Sequence, residues 1–108
     1  GEQSRDFTYV ANVVEANLLA CTAGGAAGGV FNVACADRIT VNALIAEIND
    51  ILGKSIAPVY AAPRPGDIRH SFADISAAER ELGYRPAVGF EEGLRRTIAW
   101  CGQKGDNR

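Results

Sequence analysis

No methionine occurs among the 108 residues, and the chain opens Gly1-Glu2-Gln3-Ser4-Arg5-Asp6. A complete reading frame supplies a start methionine, so the chain is expected to be a fragment or to have lost its first residues. Long apolar runs are lacking as well. Nothing approaches the roughly 20 residues needed to span a bilayer, which gives no membrane segment. The polar opening has no apolar core behind it, which speaks against a secretory leader. An excess of one charge is also missing: 11 Lys and Arg stand against 13 Asp and Glu. A net charge of −2 makes no basic field, so nucleic acid is not an expected partner. Cysteine is sparse. Cys21, Cys35 and Cys101 are odd in number and far apart, with no C-x-x-C pair, so neither a disulfide framework nor a zinc site is expected. Three reduced thiols suit a cytoplasmic protein. The single histidine, His70, has no ligand partners for a metal and no marked nucleophile to activate, and reads as a solvent-facing or loop-packing residue.

What is present is an ordinary globular balance, 47% hydrophobic and 22% charged, on a length that allows one small domain. Residues 6–10 alternate polar with aromatic or β-branched side chains, which predicts a short strand. Asn12 can cap a helix through about Cys21, with Val14, Leu18 and Cys21 on one face. Residues 23–29 are only Gly and Ala and read as a loop, and the apolar run 30–34 reads as a strand. Thr40 can cap a second helix whose Val41, Leu44, Ile45, Ile48, Ile51 and Leu52 repeat at helical spacing, with Gly53 as its stop. Residues 56–60 make an edge-strand candidate, because Pro58 cannot donate to a ladder. Ser76-Ala77-Ala78-Glu79 has the form of a capping box opening a short helix that ends at Gly83. A last helix runs from about Phe90 to Cys101, with Glu91–Arg95 and Glu92–Arg96 pairs on its polar side, and a frayed polar tail is expected over residues 103–108. The order strand, helix, strand, helix, strand, two helices defines a small mixed α/β domain over residues 1–102. Three short strands are few for a complete sheet.

Candidate chemistry is confined to a few places. Gly25-Ala26-Ala27-Gly28 has the look of a dinucleotide turn but follows a helix and precedes a strand, the reverse of what aims amide N–H groups at a pyrophosphate. Arg64-Pro65-Gly66-Asp67 is more informative. Pro and Gly shape a tight turn. Its guanidinium suits a phosphate or a stacked base, and its carboxylate can accept from two ribose hydroxyls. A surface turn with a local Arg64–Asp67 pair accounts for the same spacing. Arg5-Asp6-Phe7 before a strand is similar, with Arg5 a solvated residue when taken alone.

These segments together resemble a family. Arg5-Asp6-Phe7-Thr8-Tyr9-Val10 with Val13-Val14-Glu15-Ala16-Asn17-Leu18-Leu19-Ala20 is similar to the stretch entering a late helix of UDP-sugar 4-epimerases and other NAD-dependent epimerase/dehydratases, the extended short-chain dehydrogenase/reductases. Val30-Phe31-Asn32-Val33-Ala34 with Arg38-Ile39-Thr40-Val41 resembles the next strand and helix cap. Arg64-Pro65-Gly66-Asp67-Ile68-Arg69-His70-Ser71-Phe72-Ala73-Asp74 resembles the nucleotide-binding loop. Residues 78–86, 90–94 and 97–100 resemble the C-terminal end. The resemblance implies the C-terminal, substrate-binding part of a Rossmann-type enzyme without its dinucleotide-binding half. It further implies that Arg5 and Arg64 approach the diphosphate of a UDP-sugar, that Phe7 lies near the nucleotide, that Asp67 accepts from the ribose, and that Ser71 faces the sugar ring.

In complete members NAD stays bound and a Tyr-x-x-x-Lys pair handles the proton. Here Tyr9, Tyr60 and Tyr84 have no Lys four residues on, and the only lysines are Lys54 and Lys104. No catalytic residue, no cofactor-binding residue and no metal ligand is therefore assigned, and NAD is expected only in the intact enzyme. A UDP-sugar is the expected partner, and a homo-oligomer the expected state. Two alternatives stay open at this point: a stand-alone, non-catalytic binding or oligomerisation module, and part of a dehydratase or reductase.

Overall fold

The computed structural model describes residues 1–105, with side chains placed through residue 103. Helix α2, Val41–Leu52, follows its periodicity as expected. Thr40 accepts from the Ala43 N–H at 3.1 Å, and Gly53 closes the helix in the left-handed region at φ 61. Gly83 ends α3, Ser76–Leu82, in the same way at φ 67. The capping box does not form. Ile75 occupies the N-cap without a side-chain bond, and the Asp74 carboxylate instead accepts from the Ser76 N–H at 2.9 Å. Hydrogen bonding from Ser76 holds that carboxyl below its ordinary range.

Helix α1, Val10–Thr22, begins two residues before the expected Asn12 cap. Asn12 lies inside it and is fully buried. Its amide is captured from far along the chain: Oδ1 accepts from the Ala87 and Val88 N–H groups and Nδ2 donates to the Val88 carbonyl at 2.8 Å. The apolar face read from sequence is the outer one. Val14 and Leu18 are 52% and 60% exposed and Cys21 is exposed, whereas Ala16 is buried and Leu19 packs against the core. Small residues on the inner face let α1 approach α3 closely. The core there is Ala16, Ala34, Ile75, Ala78, Leu82 and Tyr84. The Tyr84 hydroxyl is satisfied by the Ala34 carbonyl at 2.8 Å, and burial pushes its phenol above the ordinary range.

The expected strands largely fail. Extended pairing occurs at β1, Ser4–Arg5, one step earlier than residues 6–10, and it pairs antiparallel with β2, Ile39–Thr40, Ser4 opposite Thr40 and Arg5 opposite Ile39. Residues 30–34 and 56–60 join no ladder among the described residues. Helix α4, Phe90–Gly105, runs past the expected stop at Cys101 and takes in residues 103–105 of the expected tail; residues 106–108 lie outside the described residues. Arg96 pairs with Glu92 at 2.7 Å, but Arg95 reaches Glu47 of α2 at 3.6 Å rather than Glu91. Among the described residues no helix is long and apolar enough to cross a membrane.

Candidate functional site

The site is built where the loop after residue 60 meets β1. Arg64-Pro65-Gly66-Asp67 forms a β-turn closed by the Asp67 N–H on the Arg64 carbonyl at 3.2 Å, with Gly66 at φ 80. Pro second and a positive-φ Gly third are what a type II turn demands. The turn directs Asp67 toward β1, where its Oδ1 accepts from Arg5 Nη2 at 2.9 Å. Arg5 also donates through Nη1 to the Ser4 carbonyl at 2.7 Å. The local Arg64–Asp67 ion pair suggested by spacing alone is thus replaced by a pair that joins residues 62 positions apart.

Beside this pair opens a groove of about 780 Å³ between the first residues, the start of α2 and residues 58–69. Glu2, Arg64, Asp67 and Arg69 supply charge to its wall, and Tyr60, its hydroxyl donating to Asn42 Oδ1 at 2.9 Å, supplies an aromatic face. Of the residues singled out from sequence, Arg64 and Asp67 line this groove, and Arg5 reaches its edge through the pair with Asp67. Phe7 is not. It packs on Phe90, ring centroids 6.0 Å apart, in a separate small cavity with Leu44, Leu94 and Thr97. Ser71 is exposed outside the groove, its N–H donating to the Ser4 carbonyl at 3.1 Å. His70 has the loop-packing role, with Nδ1 2.8 Å from Ser4 Oγ.

Several contributors were invisible in the sequence. Asp6 reads as a polar residue between Arg5 and Phe7, yet its carboxylate gathers two distant segments by accepting from the Cys35 N–H at 3.0 Å and the Ala73 N–H at 3.4 Å. Burial, and then the Asp6 charge, raises the Cys35 thiol above its ordinary range, which keeps it neutral and a poor nucleophile. Ser4, Asn42, Tyr60 and Arg69 carried no motif of their own. No group of three or more metal-ligating side chains occurs among the described residues.

The family model described as GDP-mannose 4,6 dehydratase matches residues 1–97. The chain belongs to the NAD-dependent epimerase/dehydratase family. Within that family, a putative UDP-glucose 4-epimerase of Methanocaldococcus jannaschii is 33% identical over all of this chain and 33% of its own length. The crystal structure of UDP-glucose 4-epimerase from Thermotoga maritima with UDP-glucose is similar at 41% identity and a TM-score of 0.89, over 96% of this chain and 33% of that one. The UDP-glucuronic acid 4-epimerase of Bacillus cereus, in complex with UDP-glucuronic acid and NAD, is similar at 28% identity and a TM-score of 0.88, over 96% and 33%. The chain thus spans about a third of the length of the relatives it matches. Its small mixed α/β architecture is that of the epimerase fold over this third.

Proposed function

We propose that this chain forms the UDP-sugar-binding part of an NAD-dependent nucleotide-sugar 4-epimerase, acting on UDP-glucose/galactose or their N-acetyl forms in the intact enzyme. The observation that carries this reading is the Arg5–Asp67 pair standing at the edge of a groove that Asp67 and Arg64 both line. The Arg5–Asp67 pair is partly exposed, with side-chain exposures of 32% and 44%. Such a pair contributes under about 1 kcal/mol, so a ligand can part it at little cost. A diphosphate would then take the guanidiniums of Arg5 and Arg64, and the Asp67 carboxylate would accept from ribose hydroxyls. Phe7 packs on Phe90 away from the groove. Ser71 would face the sugar, its small side chain leaving room at the ring.

Residues 23–29 do not fit a dinucleotide turn. They follow α1 and lead into a segment without ladder pairing, so they aim no helix N-terminus at a pyrophosphate. In this reading NAD, which supplies the hydride acceptor and donor, and the Tyr-x-x-x-Lys pair belong to the intact enzyme outside these 108 residues. The chain's own work is to bind and orient the nucleotide. Replacing Arg64 by Ala in the full-length enzyme removes a charge-assisted contact worth roughly 1.5–3 kcal/mol, so kcat/KM should fall roughly ten- to hundredfold. An unchanged KM and kcat/KM would remove Arg64 from the site.

A further inference from the structure

Every residue from 61 to 72 is exposed, so the loop that carries Arg64 and Asp67 has no buried side chain to anchor it. Besides the Arg5–Asp67 pair and the Arg38 guanidinium over Phe72, most of its ties go to one residue of β1. Ser4 is only 2% exposed and uses all of its polar groups on this loop. Its N–H donates to the Arg69 carbonyl at 2.8 Å, its carbonyl accepts from the Ser71 N–H at 3.1 Å, and its hydroxyl lies 2.8 Å from His70 Nδ1. A single parallel bridge between Ser4 and His70 results, which adds the loop as a third line beside β1 and β2. The side-chain bond adds a third tie at His70, three residues after Asp67, on the residue that directly precedes Arg5.

We propose that Ser4 and His70 are positioning residues that set the register of the nucleotide loop against Arg5, so that Arg5, Arg64 and Asp67 converge on one nucleoside diphosphate. The proposal rests on the nucleotide-binding reading above. Neither side chain touches the ligand in it; the hydroxyl and the ring act through the loop.

The test is steady-state kinetics of the full-length enzyme with a UDP-sugar, with UDP as a competitive probe. Ser4→Ala should raise KM and the UDP inhibition constant about three- to tenfold, the effect of one lost hydrogen bond, while kcat stays within about twofold. Ser4→Thr, which keeps the hydroxyl, should restore both. Because Ser4 is buried and its variants could fail to fold, the exposed partner provides the second arm. His70→Leu should mimic Ser4→Ala, and His70→Asn, which keeps an acceptor near the Nδ1 position, should recover most of the affinity. Arg64→Ala separates the two claims. If it raises KM while Ser4→Ala and His70→Leu do not, the clamp is wrong and the nucleotide reading stands. If none of the three changes KM, the reading and the clamp fall together. Equal damage from Ser4→Ala and Ser4→Thr, or a loss confined to kcat, also overturns the clamp.

Discussion

Asn12 carries the clearest residue-scale consequence. As a helix cap it would tie down one turn of α1; as a buried amide it joins α1 to the segment entering α4 through three hydrogen bonds. Asn12→Ala strands two N–H groups and a carbonyl out of water, at a cost of roughly 1–3 kcal/mol for each group left unsatisfied. Thermal unfolding should shift down by about 4–8 °C for each kcal/mol lost, whereas a true N-cap loss would cost only about 1 kcal/mol. Ser71 carries the second. In the reading proposed here its small side chain leaves room for an N-acetyl group, so the full-length enzyme should use both UDP-N-acetylhexosamines and UDP-hexoses. Ser71→Tyr should lose the N-acetylated sugars selectively by roughly tenfold or more if the bound sugar closes against this exposed position, since crowding of that kind costs about 1–3 kcal/mol. Equal effects on both classes, in a side-by-side kinetic comparison, would reject the gate. The turn over Arg64, Gly66 and Asp67 was legible because Pro and Gly declare a turn type. The partner of Asp67 was not, because a contact across 62 residues leaves no periodic trace.

Among the elements, α2 was legible from cap to stop because its amphipathic repeat, its Thr40 cap and its Gly53 terminus agree. In α1 the apolar repeat was real but pointed outward. Pattern alone marks a face to be covered and does not say by what, and here the near face is made of Ala16 and Asn12. Strands were legible least, since residues 30–34 and 56–60 have β-type composition and no neighbouring strand among the described residues to pair with. Helix α4 offers a discriminating test. A Cβ on Gly93 would lie 2.7 Å from Tyr9 Cβ, while one on Gly102 would meet nothing within 4 Å. Both sit inside the helix, where Gly→Ala gains about 0.5–1 kcal/mol in backbone entropy. At Gly93 the overpacking cost of roughly 1–3 kcal/mol should win, so Gly93→Ala destabilises in a urea melt and Gly102→Ala stabilises slightly.

For the whole molecule, the dimensions show how much of its apolar surface lacks cover. The radius of gyration is 16.6 Å, against about 13 Å for a compact domain of this length. The accessible surface is 7711 Å², against about 5,800 Å² for a folded monomer of this mass. Val10, Val14, Leu18, Ile56 and Val59 all stand more than half exposed. Exposed apolar patches beyond a few hundred Å² drive association, so the 108-residue chain should self-associate, giving a light-scattering mass above the monomer at high micromolar concentration. A clean monomer with concentration-independent melting would contradict this. The resemblance that named the family lay in the order of segments across nearly the whole chain, a property no single residue or element carries.

The most direct test of the central claim, that Arg5, Arg64 and Asp67 hold a nucleoside diphosphate, is calorimetric titration of UDP into the full-length enzyme and its Arg64→Ala variant. The account predicts saturable binding that weakens roughly ten- to hundredfold in the variant. Equal affinity in the two proteins would contradict it.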